Sequence, residues 1–258
     1  MTAWTEVGDR VFVRRHASYD LNVGLILGAG RCAVVDTRAA LSEGTELAAA
    51  VRAVTALPGV VVNTHAHFDH FLGNAAFGDA PIWASRRCAE VIAETGAAQR
   101  DAVTDGPHDV RTTPIVAPTH TFVTTSSLDL GGRTAELSFA GRGHTDNDIV
   151  VTVPDAAVTF AGDLVEEGAP PAFEDAYPLD WPATLDQLIA AAPPGEHGPV
   201  VPGHGAVVGW DFVRDQRDLL ARVTDAGRSG DWHGVGLPEK YAATARERCA
   251  AQLAGRLP

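Results

Sequence analysis

Four side chains of metal-binding type fall within six positions of the segment NTHAHFDHFLGN. They are His65, His67, Asp69 and His70, and they follow directly after the apolar run VVVN. Two imidazoles that lie two residues apart on an extended turn can bind one metal ion, and the neighbouring carboxylate and imidazole can serve a second. So many polar groups cannot be buried cheaply unless metal or hydrogen bonds satisfy them. The spacing therefore predicts a metal centre.

Three further candidates lie singly in short glycine-containing turns near predicted strands. His144 lies in GRGHTDND, Asp163 in FAGDLV and His204 in VVPGHG. Each is weak evidence alone, but loops at strand ends are where functional side chains concentrate, and the shared placement favours a common site. We interpret the remaining histidines as ordinary core or surface residues: His16, His108, His120, His197 and His233.

The hydrophobic pattern predicts strands and helices that would carry these residues at strand ends. Strands are predicted in the first part of the chain at 10–15, 22–27, 32–36, 60–63 and 81–85, and in the second part at 121–125, 135–140, 149–153, 157–163 and 199–205. Helices are predicted from Ser42, over 86–103, after Trp181, around 212–223 and over 238–254. This order favours two sheets with helices outside both faces. No repeat or linker divides the chain, so a single domain over residues 1–258 is predicted.

The composition of the chain limits which binding partners and which cellular location are expected. The chain has 258 residues, is 45% hydrophobic and carries a formal net charge of −13. That charge disfavours nucleic acid and anionic membranes as partners, which leaves a small-molecule substrate. No segment approaches the roughly 20 apolar residues that cross a bilayer, and the amino terminus does not resemble a secretory signal. A cytoplasmic protein is expected, with Cys32, Cys88 and Cys249 as reduced structural thiols.

The motifs, taken in order, resemble the metallo-β-lactamase-fold superfamily, whose pattern is HxHxDH, a lone His, a lone Asp and a final His. The resemblance runs from Asp36 to His204. It implies an α/β (α+β) fold, an αββα sandwich of two packed mixed β-sheets flanked by helices, with the metal site along one edge. It also implies that one metal is held by His65, His67 and His144, that a second is held by Asp69, His70 and His204, and that Asp163 bridges them.

The resemblance implies a dinuclear zinc centre, although iron or manganese also accept nitrogen and carboxylate ligands. Two such ions roughly 3.5–4 Å apart share a bound water whose pKa is about 7, so that a hydroxide nucleophile is available at neutral pH. Asp69 is the candidate catalytic residue that would orient this metal-bound hydroxide. The expected activity is hydrolysis of an ester, thioester, lactone or amide bond of a small molecule. Asp36, Thr64 and Thr145 are further candidates that would contact the ligands.

Differences between this sequence and particular enzyme classes of the superfamily reduce the number of expected activities. The best-known β-lactamases carry a cysteine where this chain has Asp163, which disfavours antibiotic hydrolysis. The only lysine is Lys240, which disfavours glutathione thioesters as substrates. RNA is disfavoured because the acidic chain shows no basic RNA-binding arm or inserted domain. Two alternatives stay open, a persulfide dioxygenase with a single iron and a β-lactamase. A non-catalytic binding protein is disfavoured because the ligand set is intact.

The segment 164–181, which we name the rim loop, follows Asp163 and mixes prolines, acids and aromatic residues without periodicity. Its aromatic residues Phe173, Tyr177 and Trp181 are interpreted either as walls of a substrate pocket or as anchors that pack the loop onto the domain. Tyr19 is a similar candidate from the opposite side.

Overall fold

Twelve β-strands form two sheets in the computed structural model, which describes residues 3–192 and 198–257. The first sheet has seven strands in chain order, antiparallel from β1 to β4 and parallel from β4 to β7. Its strands are β1 (Thr5–Gly8), β2 (Val11–Arg15), β3 (Asn22–Leu27), β4 (Cys32–Val35), β5 (Gly59–Val62), β6 (Ile82–Ser85) and β7 (His120–Phe122).

The second sheet has five strands in the order β12, β11, β10, β9, β8. β11 and β12 are parallel, and the other neighbours are antiparallel. Its strands are β8 (Thr125–Asp129), β9 (Thr134–Ser138), β10 (Val150–Val153), β11 (Val158–Gly162) and β12 (Val200–Pro202).

Helices cover the outer face of each sheet. They are α1 (Leu41–Val54), α2 (Phe68–Phe71), α3 (Arg86–Ala102), α4 (Trp181–Ala190), α5 (Trp210–Ser229) and α6 (Glu239–Leu253). Leu47 of α1 packs in a cluster with Leu25 of the first sheet. Val213 of α5 packs in a cluster with Val150 and Val200 of the second sheet. Across residues 3–192 and 198–257, none of these helices is long and apolar enough to cross a membrane.

Alternation along the strands assigns each side chain to one of two apolar layers, because successive residues of a strand point to opposite faces. In β4, Ala33 and Val35 join the core between the sheets, whereas Cys32 and Val34 face the α1 side. Both faces of such a strand are buried, so its sequence is a continuous apolar run and not an alternating one. The two packed mixed sheets between helices confirm the predicted αββα architecture.

Two parts of the strand prediction were wrong. Residues 121–125 are not one strand, because β7 ends at Phe122 in the first sheet and β8 begins at Thr125 in the second. The chain changes sheets at Val123, which is 57% exposed, and a β-branched run gives no signal of such a crossing. The edge strand β1 was not predicted, because its sequence TEVG is short and largely exposed.

His16 makes folding stability depend on pH. Its side chain is only 4% exposed, and burial together with the charges of Arg38 and Arg14 lowers its pKa to about 3. A histidine that must stay neutral in the fold contributes full stability above its unfolded pKa of about 6.5, and this contribution is lost as the pH falls towards 3. We expect His16→Leu to flatten the pH dependence of the unfolding free energy in that window, by at most about 1.4 kcal/mol per pH unit.

The measurement is urea unfolding of both proteins at pH 7.5 and at pH 5, compared as a difference between variants so that acid effects elsewhere cancel. His233→Leu, at an exposed position, is the matched control. Parallel stability curves for wild type and His16→Leu would contradict the assignment.

Candidate metal centre

Strand ends bring the predicted site residues to one edge of the two sheets. His65 lies shortly after β5, Asp163 directly follows β11, and His204 lies shortly after β12. Because β11 and β12 are parallel, their carboxyl ends lie at the same edge. His144 precedes β10, and β10 is antiparallel to β11, so the loop before it reaches that edge too.

The first group of ligand atoms comes from three imidazoles. His67 Nδ1 lies 3.0 Å from His65 Nε2 and 2.8 Å from His144 Nε2. Asp163 Oδ2 lies 3.6 Å from His65 Nε2 and 3.4 Å from His144 Nε2. These separations approach the roughly 3.3 Å that separates ligand atoms in a tetrahedron with zinc–nitrogen bonds of about 2.0–2.1 Å. A ring nitrogen carries at most one proton, so hydrogen bonds cannot satisfy three converging nitrogens as one cation could.

The second group of ligand atoms comes from Asp69, His70 and His204. His70 Nε2 and His204 Nε2 are 3.4 Å apart, and Asp69 Oδ2 lies 3.5 Å from His204 Nε2 and 3.8 Å from His70 Nε2. Asp69 and His70 both belong to α2, which begins immediately after His67. The one-turn helix therefore directs the side chains of Asp69 and His70 towards a second possible metal position, beside the one formed by the three imidazoles.

The Asp163 carboxylate lies between the two groups. Its Oδ2 atom, already close to His65 and His144, is 3.2 Å from His204 Nε2, and its Oδ1 atom is 3.4 Å from His70 Nε2. The Oδ1 atom is buried and makes no hydrogen bond within the described residues. An unsatisfied buried carboxylate oxygen is costly, so this atom fits a divalent cation. The structure brings all seven predicted residues together; that they bind metal stays a prediction.

Two glycines make the close approach of these residues sterically feasible. Gly162 adopts a φ of +53°, a conformation that favours glycine, directly before Asp163. A Cβ atom built on Gly203 would lie 1.7 Å from Asp163 Oδ1 and 3.1 Å from His70 Cε1. The glycine of the PGH turn therefore leaves the space that the carboxylate occupies, and the glycine of the AGD turn permits the positive φ directly before Asp163.

The imidazoles of both groups have polar contacts at their outward nitrogens, which fix ring orientation and tautomer. The partners are the Asp36 carboxylate for His70 Nδ1 (2.8 Å), the Thr64 hydroxyl for His65 Nδ1 (3.0 Å), the Tyr19 carbonyl for His204 Nδ1 (2.7 Å), the Glu166 carboxylate for His144 Nδ1 (3.1 Å) and the Asp175 carboxylate for His67 Nε2 (2.9 Å). The inward nitrogens are thereby left to the two groups of ligand atoms.

Comparison with known proteins agrees with this arrangement. The family model of the metallo-β-lactamase superfamily matches residues 20–204, more than half of the chain and all seven predicted site residues. The chain belongs to the metallo-β-lactamase superfamily. Membership confirms the family expected from the motifs and, at the level of the family, a metallohydrolase fold with groups of His and Asp residues that could hold a divalent metal.

Named relatives are metallo-β-lactamases. A metallo-β-lactamase type 2 of Bacteroides fragilis is 27% identical over 112 residues, which is 42% of this chain and 44% of that protein. The Bacillus cereus metallo-β-lactamase type 2 is 30% identical over 98 residues, 37% of this chain and 38% of that protein. The chain thus spans less than half the length of these curated relatives.

Solved structures share the superfamily fold over most of both chains. A metallo-β-lactamase from Pontibacter korlensis superposes with a TM-score of 0.70 at 23% identity, covering 86% of this chain and 99% of the other. The DIM-1 metallo-β-lactamase superposes with a TM-score of 0.69 at 18% identity, covering 85% and 97%. At such identities the likeness shows the fold alone.

The predicted contacts to the superfamily ligands were right at two positions of three. The Asp36 carboxylate accepts hydrogen bonds from the Thr64 backbone N–H and hydroxyl, both at 2.8 Å, besides its contact with His70. Asp36 therefore connects His70 of the second group, through the Thr64 hydroxyl, with His65 of the first group. Thr145 instead donates its backbone N–H and hydroxyl to the Asp148 carboxylate, and shapes the turn that carries His144.

Sequence reasoning missed the carboxylates of the rim loop and emphasised its aromatic residues instead. Phe173, Tyr177 and Trp181 are at most 3% exposed and pack the loop onto the domain, so the interpretation as pocket walls was wrong. Glu166 and Asp175 are the rim-loop carboxylates that contact imidazoles of the proposed ligands, whereas Trp181 packs its ring edge-on against that of His144. The only available signal was their acidity within a segment that begins directly after Asp163.

Two amides hold the backbone between His65 and His67. The Asn147 side-chain oxygen accepts a hydrogen bond from the Ala66 N–H (2.9 Å), and the Gln99 side-chain amide donates to the Ala66 carbonyl (2.8 Å). Asn147 comes from the loop before β10 and Gln99 from α3, so both halves of the fold fix the HxH turn.

The carboxylates of the site raise the pKa of some of its imidazoles, whereas burial and the neighbouring histidines lower the pKa of His65. Burial lowers the pKa of His144, but the contact of its Nδ1 with the Glu166 carboxylate at 3.1 Å and the charge of Asp163 outweigh burial and raise that pKa to about 10. Burial is outweighed at His204 too, where Asp163 raises the pKa to about 9. The surrounding histidines, against the effect of burial, hold the pKa of Asp163 well below its usual range. A bound metal would replace such protons, as metal ligands must lose theirs.

A cavity of about 600 Å³ opens directly onto both groups of ligand atoms. Phe68 and Val91 give it an apolar side, and Glu174 and Asp175 of the rim loop lie on its border. An adjoining cavity of about 390 Å³ shares Phe68 and includes Tyr19. Tyr19 therefore lies near the second group through its carbonyl and borders the adjoining cavity, not the main one.

Proposed function

We propose that this protein is a dinuclear zinc hydrolase that cleaves an ester, thioester, lactone or amide bond of a small molecule. The observation that carries the proposal is the position of the Asp163 carboxylate, within 3.2–3.6 Å of imidazole nitrogens from both groups of ligand atoms. One group is His65, His67 and His144, and the other is Asp69, His70 and His204. Nitrogen and carboxylate donors without thiolate suit zinc.

Two zinc ions would supply a water with a pKa of about 7 and a Lewis acid for the substrate carbonyl. Asp69 borders the cavity, so its carboxylate can accept a hydrogen bond from the attacking water and orient it. Phe68 and Val91 offer the apolar part of a substrate a surface to pack on. Asp36 and Glu166 keep His70 and His144 in fixed orientations, so little reorganisation is needed during reaction.

The charge around the cavity favours neutral or cationic substrates. The carboxylates of Glu174 and Asp175 border it, and no lysine or arginine does so among the residues that the structure describes. A substrate with its own carboxylate would meet like charges at the entrance and find no guanidinium or ammonium partner there.

Reversing the charge at Glu174 should reverse this preference. We expect Glu174→Lys to raise kcat/KM for an anionic ester, relative to a cationic ester of the same size, by about 3- to 10-fold, because an exposed charge pair is worth about 1 kcal/mol. Glu136→Lys, an equal charge change at an exposed position of β9, is the control. An unchanged ratio of the two kcat/KM values in Glu174→Lys would refute the charge selection.

The proposal as a whole is tested by metal quantification and a substrate panel. We expect about two zinc ions per chain after purification without added metal, and turnover of at least one ester, thioester or lactone. One iron per chain, with no gain on adding zinc, would favour the persulfide dioxygenase alternative over the hydrolase.

A β-lactamase is the second candidate, and the names of the curated relatives favour it. The carboxylates around the cavity and the aspartate at position 163 argue for a different substrate. Nitrocefin, an anionic β-lactam, separates the candidates: efficient turnover by the unmodified protein would make antibiotic hydrolysis the better assignment. A cytoplasmic location belongs to the first proposal and is supported by three free, buried cysteines.

A further inference from the structure

The contact between His67 and Asp175 is more exposed than the two other contacts between a carboxylate and an outward nitrogen. The Asp175 side chain is 56% exposed and that of His67 is 24% exposed, whereas the carboxylates that contact His70 and His144 are 3% and 9% exposed. Water competes strongly for an exposed hydrogen bond, so its persistence depends on how firmly the backbone holds the carboxylate. The backbone at residue 175 of the rim loop must therefore be held from elsewhere in the fold.

Arg248 of α6 binds the rim loop at this point. Its Nη2 donates to the Asp175 carbonyl at 2.5 Å and its Nε donates to the Ala176 carbonyl at 2.8 Å. One helical turn later, the Gln252 side-chain oxygen accepts a hydrogen bond from the Leu179 N–H at 3.0 Å. Two side chains on one face of α6 therefore fix the backbone on both sides of Tyr177.

α6 is itself anchored to the core. Ala242, Ala245 and Cys249 are buried on the face that packs towards α5. The approach is close, because a Cβ atom built on Gly227 of α5 would lie 2.6 Å from Cys249 Sγ. Because α6 packs tightly against the core, it is a fixed support for the backbone of the rim loop that binds to it.

We propose that α6 is a brace for the three-histidine metal site and that Arg248 is its positioning residue. Arg248 holds the backbone of residues 175 and 176, which keeps the Asp175 carboxylate against His67 Nε2, and this contact orients Nδ1 towards His65 and His144. Outer partners of ligand imidazoles commonly change metal affinity by 10- to 100-fold. The inference rests on the proposed two-metal centre. It goes beyond the shared motifs, since α6 lies outside the family match at 20–204.

The experiment measures both zinc dissociation constants of the full-length protein by competition with a chelator. Cobalt substitution then assigns each constant, because three imidazoles with one carboxylate and two imidazoles with two carboxylates give different cobalt spectra; the single-site variants His67→Ala and His204→Ala supply the reference spectra. We expect Asp175→Ala to weaken the three-histidine site by about 10- to 100-fold, and Arg248→Gln to weaken it by a smaller factor. The other site should stay within about twofold. The double variant should be no weaker than Asp175→Ala, because Arg248 acts through Asp175.

Arg246→Gln is the matched control, since it removes the same charge from the same helix at a residue whose ion pair is with Glu239. Arg248→Lys keeps the charge but loses the two-pronged donor, so it gives an intermediate loss and serves if Arg248→Gln folds poorly. Unchanged affinities in folded Arg248 variants, or equal weakening of both sites, would overturn the brace. A wild-type protein that binds no metal would instead overturn the proposed function and this inference with it.

Discussion

Asp163→Ala should lower the zinc content of the purified protein at both sites together and lower kcat/KM by at least about 1,000-fold. The Asp163 carboxylate lies 3.4 Å from His144 Nε2 and 3.2 Å from His204 Nε2, so one side chain serves both groups of ligand atoms. Without it, two divalent cations would face each other with no shared negative charge between them. Zinc analysis and single-substrate kinetics provide the measurement.

Asp146→Asn is the matched control for this change. Asp146 lies in the same loop as His144 but forms an ion pair with Arg87 at 2.8 Å, and it is not one of the seven proposed ligands. It should retain two zinc ions. If Asp163→Ala kept two tightly bound ions and near-normal turnover, the shared role of this carboxylate would be wrong.

Removing one imidazole from each group should produce two different one-metal proteins. His67→Ala leaves the group of Asp69, His70 and His204, whereas His204→Ala leaves the three histidines with Asp163. Each should hold about one zinc ion, and each should lose at least about 100-fold in kcat/KM because the reaction needs both centres. The cobalt forms should differ in absorption, since His204→Ala retains three imidazoles with the Asp163 carboxylate, whereas His67→Ala retains two imidazoles with the Asp69 and Asp163 carboxylates.

The control is His233→Ala, at an exposed position far along the chain from the motifs, which should keep two ions and full activity. Identical cobalt spectra for His67→Ala and His204→Ala would mean that the two imidazoles do not belong to separate groups. Full activity in either variant would remove that residue from the proposed site.

The strands that carry the site were predictable because local sequence determines them. β5 at Gly59–Val62 and β11 at Val158–Gly162 are largely apolar runs buried on both faces, and such runs can be identified without tertiary information. The crossing between β7 and β8 was not predictable, because residues on both sides of it belong to one strand-like run, TFVTT, although Phe122 pairs in the first sheet and Thr125 in the second. Pairing partners are a non-local property, and no local pattern records them.

The seven proposed ligands could be predicted from the sequence, whereas most of the residues that contact their outward nitrogens could not. A residue such as His70 belongs to a dense local motif of polar side chains, and metal binding accounts for that density better than surface or core packing does. Asp175 and Arg248 carry no such signature, because each is one charged residue among many and its contact is long-range: 108 residues separate Asp175 from His67. Only the three-dimensional structure could identify them.

The spacing of the proposed ligands along the chain also has a consequence for folding. The HxHxDH residues are neighbours before any sheet forms, whereas 77 residues separate His67 from His144 and 134 separate His70 from His204. Contacts of such separation close long loops, so we expect the complete centre to form late in folding. The unfolded chain nevertheless already holds a local cluster of four metal-binding side chains. In the proposed zinc enzyme, the metal would therefore bind the denatured state as well, and it would stabilise the native protein by less than its affinity for the finished centre alone would give.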